Sequence, residues 1–259
     1  MLLTEIFSGC KRNFVLEFVK QLLRQLGLYE YIRYNLDLLK SYKHVPTNST
    51  ILVHIGKCGG KSLRDGISNI KWNSSIYVAH GRKPVYRKDL NYIIVARGPI
   101  SRTISAFRWR HKIVVTTGKQ ANTFKGEYEV LSKYKEINNL AEALYHENGE
   151  LDISAHQEMQ KIHHIYEGIS YYLTDLLAQC KPEQIIAVLM QENLDEDIFR
   201  VFGYKNKFRA HANPARRDEQ KLSEIGEKNL TRYLQKDYEA LLKLYCWGKI
   251  DRKVFLRAI

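Results

Sequence analysis

The chain has 259 residues, of which 44% are hydrophobic, enough for one sizeable core that neither a linker nor an internal repeat divides. Its four cysteines have neither the density of a secreted disulfide scaffold nor the paired spacing of a zinc site, so we expect a reducing compartment. The formal net charge of +13 indicates an anionic partner: a nucleotide, a nucleic acid, a membrane surface or an acidic polymer.

Residues 12–26 carry apolar side chains at helical spacing and are followed by Gly27, so we predict a helix there and a second helix through Leu39. The apolar positions are Val15, Phe18, Val19, Leu22, Leu23 and Leu26. Such a stripe more often packs on its own domain than on a partner. We therefore expect residues 1–45 to form a helical extension packed on one globular domain at residues 46–259.

The alternative for this N-terminal helix is a peripheral contact with a membrane surface or with an acidic partner. No stretch of the sequence approaches the length of a membrane span, and residues 1–7 lack the basic and apolar regions of a signal peptide. We therefore expect a cytoplasmic protein. It would lie at the inner face of a membrane if the helix binds lipid.

Three short apolar runs are typical of buried parallel strands, at residues 51–55, 92–96 and 185–190. Helical patterns lie between and after them, at residues 101–112, 136–147, 154–179 and 221–244. This alternation predicts an α/β fold with a central parallel sheet and helices on both faces. The ligand site of such a sheet lies at the carboxyl ends of its strands.

The first of these strands leads into a glycine-rich loop at residues 56–62, and a helix is predicted from Leu63 to Ile67. Glycines let successive backbone N–H groups face one point, and a helix start adds partial positive charge. We therefore predict an anion cradle lined by Lys57, Lys61 and Ser62. Only three residues separate the outer glycines, one fewer than in a Walker A loop, so the loop favours phosphate binding over ATP hydrolysis.

The second predicted strand ends at Arg97, where a P-loop kinase or ATPase usually has an aspartate that holds magnesium. Pro99 suits the first position of a helix, which would carry Ser105. Arg97 and Ser105 can bind a second phosphate through charge-assisted hydrogen bonds. Residues 81–113 include nine basic side chains and one acidic side chain, which also favours an anion site here.

Both segments resemble motifs of the sulfotransferases that use 3′-phosphoadenosine 5′-phosphosulfate (PAPS). Residues 55–63 resemble the 5′-phosphosulfate loop, written I-P-K-T-G-G-T-S-L, and residues 95–107 resemble the 3′-phosphate motif, V-R-D-P-x-x-R-x-x-S-A-Y. Weaker similarity to the carbohydrate branch of the family occurs at residues 192–197, 213–214 and 236–238. The sequence departs from the family's proline, threonine and aspartate at Gly56, Lys61 and Gly98, respectively.

The resemblance implies a P-loop-like sulfotransferase fold, and transfer of a sulfuryl group from PAPS to a hydroxyl of a carbohydrate or glycolipid without a metal. The other product is 3′-phosphoadenosine 5′-phosphate (PAP). Lys57 would stabilise the leaving oxygen, and Arg97 with Ser105 would bind the 3′-phosphate. The implied 5′-phosphosulfate ligands are Lys57, Gly59, Gly60, Lys61 and Ser62. Arg216 is a further candidate for contact with the nucleotide, against the alternative of a solvated arginine.

His80 is the predicted general base, because a neutral imidazole accepts a proton near neutral pH and the family often has an H-G-H-like segment here. The second histidine of that segment is Arg82 in this chain. A purely structural histidine is the alternative for His80. Other candidate bases are His156, His163, His164 and Glu192.

Two rival functions remain open from the sequence. A P-loop nucleotide kinase is compatible with the glycine-rich loop but not with Arg97 in the place of a metal-binding aspartate. A non-catalytic nucleic-acid-binding protein is compatible with the net charge and with the basic, aromatic segment at residues 107–111. No recognisable nucleic-acid motif accompanies that charge, so we expect an anionic nucleotide donor and no nucleic acid.

Overall fold

The fold is built around one parallel β-sheet. The computed structural model describes residues 17–26, 28–29, 32, 45–59, 63, 76–203 and 222–259. The strands are β1 (Thr50–His54), β2 (Ile76–His80), β3 (Asn91–Ala96) and β4 (Ile185–Met190). Helices flank this sheet, so the predicted α/β fold with a central parallel sheet is confirmed.

The strand order in the sheet is β2-β1-β3-β4, and each neighbouring pair is parallel. The chain passes from β1 to β2 on one side, then crosses to the other side of β1 to form β3 and β4. The direction of this order reverses between β1 and β3. At such a switch point the neighbouring connections leave the sheet on opposite faces, which opens a crevice at the carboxyl ends of the strands.

Most of the helices follow β3. Between β3 and β4 lie α1 (Pro99–His111), α2 (Glu127–Lys133), α3 (Ile137–Ala143), α4 (Ile153–Lys161), α5 (His163–Tyr166) and α6 (Ile169–Gln179). A π-helical turn at Lys112–Thr116 extends α1, and 3-10 turns at Pro182–Gln184 and Gln191–Asn193 flank β4. After β4 come α7 (Leu194–Phe202), α8 (Glu224–Tyr233), α9 (Gln235–Cys246) and α10 (Arg252–Ala258).

The single helix predicted at residues 154–179 is three helices, α4, α5 and α6. The break before α6 lies at Gly168, where a Cβ atom would approach the Asp237 carboxylate oxygens to 2.9 Å. That carboxylate accepts hydrogen bonds from the backbone N–H groups of Ile169 (3.0 Å) and Ser170 (2.8 Å). A carboxylate from α9 thus caps the start of α6, which local periodicity does not reveal.

The helix at residues 17–25 has the reverse of the expected orientation. The side chains of Phe18, Leu22 and Leu26 are 59%, 46% and 62% exposed, so the apolar stripe faces solvent. The polar side of this helix faces the rest of the protein, where Gln21 Nε2 donates a hydrogen bond to the carbonyl of Asn122 (3.2 Å). Among the helices of the described ranges, none combines the length and the apolar character needed to cross a bilayer.

A buried ion pair joins α1 to α2. The side chains of Arg110 and Glu127 are 2% and 1% exposed, and Arg110 Nη2 lies 2.5 Å from Glu127 Oε2. Arg110 Nε donates to Glu127 Oε1 (2.7 Å), which also accepts from the backbone N–H of His163 (2.9 Å). Gln120 Oε1 accepts from Arg110 Nη1 at 2.7 Å. The pair therefore fixes the end of α1 relative to the start of α5.

We expect Arg110→Met to lower the free energy of unfolding by about 3–5 kcal/mol, because it leaves a buried carboxylate without its cation. The double variant Arg110→Met with Glu127→Met should be clearly more stable than Arg110→Met alone, since no unpaired charge remains. It would still lose the hydrogen bond to the amide of His163. Urea denaturation of the three proteins measures this, and equal stability of the single and double variants would contradict it.

Candidate functional site

Each of the four strands brings a polar element to the same edge of the sheet. The loop at residues 56–59 follows β1, His80 ends β2, Arg97 follows β3, and Glu192 follows β4. The loop and Arg97 come from β1 and β3, the two strands on either side of the switch point. The candidate site therefore lies where a parallel sheet of this order forms a ligand crevice.

The loop after β1 has an unusual backbone. Lys57 has a φ of 71° and Gly59 a φ of 84°, with Cys58 between them. A left-handed conformation at a residue other than glycine costs on the order of 1–3 kcal/mol, and such residues cluster at functional sites. Burial raises the pKa of the Cys58 thiol to about 12, so this thiol is not a nucleophile at neutral pH. The Cys58 amide donates to the Ile55 carbonyl at 3.3 Å, so the amides of Lys57 and Gly59 and the Lys57 side chain are what this loop offers a ligand.

Arg97 joins this loop to the first turn of α1. Its Nε donates to Ser101 Oγ at 2.9 Å, and its Nη1 donates to the backbone carbonyl of Lys57 at 3.4 Å. These bonds use two of the five N–H donors of the half-buried guanidinium group. Arg97 is thus oriented by the protein while donors remain for a ligand.

One face of α1 carries the predicted ligand Ser105 between two further side chains, Ser101 and Trp109. Ser101, Ser105 and Trp109 follow one another at intervals of one helical turn, so their side chains lie on the same side of α1. The ammonium group of Lys57 lies 4.7 Å from the centre of the Trp109 ring, a cation–π contact. Lys57 and Arg97 are therefore positioned at the two ends of this polar strip.

The positive charges at this strip act on one another. The pKa of Lys57 is lowered to about 8, first by burial and then by the charges of Arg97 and Arg102. An anion bound beside Lys57 would stabilise its ammonium form and raise this pKa again. The site therefore has unsatisfied positive charge that an anionic ligand can neutralise.

Arg102, which was not among the predicted site residues, holds the loop in place. Its guanidinium group is buried, and Nε donates to the carbonyl of Gly56 at 3.0 Å. Its Nη2 donates to the carbonyl of His164 at 3.0 Å and also to that of Glu167. A single side chain of α1 thus ties the glycine loop to α5.

Glu192, a candidate base from the sequence, contacts the start of α1. Its Oε1 accepts a hydrogen bond from the backbone N–H of Gly98 at 2.8 Å and lies 3.5 Å from Ser101 Oγ. A Cβ atom on Gly98 would lie 2.3 Å from the backbone carbonyl oxygen of Ala258 in α10. The backbone of α10 therefore explains why position 98 is glycine here, whereas the family that the sequence resembles has aspartate.

A cavity of about 810 Å³ opens beside the loop, within the usual range for small-ligand sites. Gly56, His80 and Trp109 are among the residues that line it. The exposed ring of His80 stacks on that of His54, with 4.2 Å between ring centres. Because the Lys57 ammonium contacts the Trp109 ring, the cavity lined by His80 and Trp109 adjoins the polar strip of α1.

His163, His164 and Glu167 form a cluster in this cavity that could hold a metal, with ligand atoms within 4.8 Å of one another. Burial and then the charges of neighbours, including Arg110 and Lys57, lower the pKa of His164 to about 2. The same positive surroundings oppose a divalent cation. His164 is therefore neutral near pH 7 and a weak base.

The remaining predicted residues are placed as follows. His156 lies away from the loop, and its ring contacts those of Tyr145 (5.2 Å) and Tyr233 (5.1 Å). Four predicted nucleotide ligands lie outside the described residues: Gly60, Lys61, Ser62 and Arg216. Trp109 was missed, although its spacing of one turn from Ser105 was a usable signal.

No family model, curated protein or solved structure matches this chain. The resemblance to PAPS-dependent sulfotransferases rests mainly on residues 55–63 and 95–107, with the weaker similarities later in the chain. What the chain does is therefore inferred from its own residues and their geometry.

We expect the Lys57 ammonium to titrate near pH 8 instead of 10.5. Below this window its burial as a cation opposes folding, so its contribution to stability should rise between about pH 8 and 10.5, where only the unfolded chain binds the proton. Arg97→Met should raise the pKa of Lys57 by removing a neighbouring positive charge.

NMR of ¹³C-methylated lysines measures this titration, and Lys57→Met assigns the resonance. Arg87→Met is the matched control, because Arg87 is paired with Asp89 at the amino end of β3 and should leave the titration of Lys57 unchanged. A Lys57 resonance that titrates near 10.5 in the wild-type protein would refute the expectation.

Proposed function

We propose that this protein transfers the sulfuryl group of PAPS to a hydroxyl group of a carbohydrate or glycolipid and releases PAP. The observation that carries the proposal is the link between Lys57 and Arg97 at the β1/β3 switch point. Each side chain follows a different central strand, and Arg97 donates to the Lys57 carbonyl. Two separated cations suit a nucleotide that has two separate anionic groups.

The donor would lie along the polar strip of α1, between Lys57 and Arg97. The loop amides, including that of Gly59, and Lys57 would hold the 5′-phosphosulfate, while Arg97 and Ser105 would hold the 3′-phosphate. Gly60, Lys61, Ser62 and Arg216 are further proposed ligands. Two observations support this assignment of the two anionic groups. The donors of Arg97 are oriented by Ser101, and Ser101 and Ser105 lie one turn apart on α1.

A kinase reaction fits this edge of the sheet less well. Arg97 follows β3 where a nucleotide kinase would hold magnesium through a carboxylate. One oxygen of the carboxylate after β4, Glu192 Oε1, accepts a hydrogen bond from the Gly98 amide. Direct cationic contacts to the donor are therefore favoured over contacts through a metal.

In the proposed reaction the acceptor oxygen attacks the sulfur atom and forms a new S–O bond. The S–O bond to the 5′-phosphate breaks, and its electron pair leaves with PAP. The acceptor hydroxyl gives its proton to His80, and Lys57 neutralises the charge that grows on the leaving oxygen. Positioning and electrostatics supply most of the acceleration in such group transfers.

The acceptor would bind in the cavity that His80 lines. Its volume of about 810 Å³ accommodates a sugar unit beside the loop. Arg82 and Lys119 also line the cavity and suit an acceptor that carries negative charge. His80 and Trp109, whose ring contacts Lys57, both line this cavity.

Binding of PAP without magnesium tests the donor. We expect PAP to bind more tightly than AMP, because only PAP has the 3′-phosphate that Arg97 can contact. Arg97→Met should remove most of that preference, about 1.5–3 kcal/mol, while the affinity for AMP changes less. Isothermal titration calorimetry measures both ligands.

Arg87→Met serves as the control that also removes one arginine but should leave the preference intact. Equal affinity of the wild-type protein for PAP and AMP would count decisively against the donor assignment. Magnesium-dependent turnover of ATP would favour a kinase instead.

A transfer assay tests His80 as the base. We expect kcat/KM to rise with pH as the imidazole loses its proton, and His80→Gln to lower kcat/KM by about 100-fold or more and to flatten this rise. Glutamine keeps a hydrogen-bonding side chain but cannot take the proton. Affinity for PAP should be nearly unchanged.

His146→Gln is the control, because His146 is exposed and lies near Asp152, not in the cavity. Lys57→Met should lower kcat across the pH range without flattening the rise. A fully active His80→Gln protein would exclude His80 as the base and leave His163 as the candidate in the cavity.

A further inference from the structure

The helix at residues 17–25 places its polar side over the cavity. Glu17, Gln21 and Arg24 line the cavity, and these positions fall on one helical face. Gln21 is bonded to the Asn122 carbonyl, and the Arg24 guanidinium lies 4.4 Å from the centre of the Tyr29 ring. The polar face of this helix is therefore the one engaged with the protein.

The opposite face carries an exposed apolar stripe, formed by Phe18, Val19, Leu22 and Leu26. Their exposed fractions are 59%, 44%, 46% and 62%. A helix that packs on its own domain turns such residues inward, but this helix turns them outward. A contiguous apolar surface of this kind marks contact with a membrane or another macromolecule.

The segment that contacts this helix has a net positive charge. Residues 112–126 include Asn122, which accepts the hydrogen bond from Gln21, and contain three lysines and no acidic residue. All three lysines, Lys112, Lys119 and Lys125, are exposed. An apolar stripe accompanied by lysines is typical of helices that lie in the interface of an anionic bilayer.

We propose that the apolar stripe docks this protein on the surface of an anionic membrane. The helix would lie in the plane of the interface, with the stripe in the acyl boundary and Lys112 and Lys125 near the headgroups. This surface goes beyond the transfer reaction and does not depend on it. Because the other face of the same helix lines the cavity, docking would hold the cavity beside the bilayer.

Cosedimentation with vesicles tests this proposal. The wild-type protein should bind vesicles of phosphatidylcholine and phosphatidylglycerol, and bind vesicles of phosphatidylcholine alone much less. The double variant Leu22→Gln with Leu26→Gln should weaken binding about tenfold for each leucine. Leu242→Gln with Leu256→Gln is the matched control, because these leucines are 47% and 58% exposed on α9 and α10 and should not affect binding.

A second pair of variants isolates the charge. Lys112→Gln with Lys125→Gln should weaken binding to the anionic vesicles about fivefold for each lysine. Lys228→Gln with Lys236→Gln makes the same change in net charge on exposed positions of α8 and α9, and should have little effect. Equal effects of the two pairs would overturn the proposed surface, because they would show attraction by net charge alone.

Two further outcomes would also overturn the proposal. One is a wild-type protein that does not cosediment with anionic vesicles. The other is a dimer in light scattering that the Leu22→Gln and Leu26→Gln variant abolishes, which would assign the stripe to a second copy of the chain. PAP affinity of each variant is measured in parallel, so that loss of vesicle binding with intact PAP affinity, or the reverse, separates this proposal from the proposed function.

Discussion

The candidate site depends on the buried guanidinium group of Arg102. This group contacts the carbonyl of Gly56 on one side and the carbonyls of His164 and Glu167 on the other. A buried cation requires such partners, since an unpaired one costs several kcal/mol. The glycine loop and the wall of the cavity are therefore held together through the hydrogen bonds of one buried side chain.

The charge of Arg102 also shapes the chemistry of both regions. It contributes to the lowered pKa of Lys57 on the loop side and of His164 on the cavity side. An anion would relieve this concentration of positive charge, whereas a metal ion would add to it. The charge of Arg102 thus favours an anionic ligand, although the resemblance did not name Arg102 among the ligands.

The sequence predicted the parts of the fold that depend on local pattern. β1, β3 and β4 are buried parallel strands and read as continuous apolar runs. β2 was missed because this edge strand, Ile76–His80, mixes exposed and buried positions. The pattern at residues 221–244 is two helices, α8 and α9, and not one.

In the candidate site, Lys57 and Arg97 could be predicted because a glycine-rich loop and the end of a strand are both local patterns in the sequence. The roles of Arg102 and Glu192 were not found, since both bond to backbone atoms that are distant in sequence. The orientation of the helix at residues 17–25 was not found either. An apolar stripe is the same in a sequence whether it faces a core or solvent.

The close approach of Gly98 to the Ala258 carbonyl has a consequence for how this sequence can change. Any side chain at position 98 would require α10 to shift first. A substitution there is therefore conditional on a change that moves the backbone at Ala258, far away in sequence. Side chains of α10 can vary without relieving this constraint, so position 98 should stay glycine in descendants of this protein for as long as α10 keeps its position.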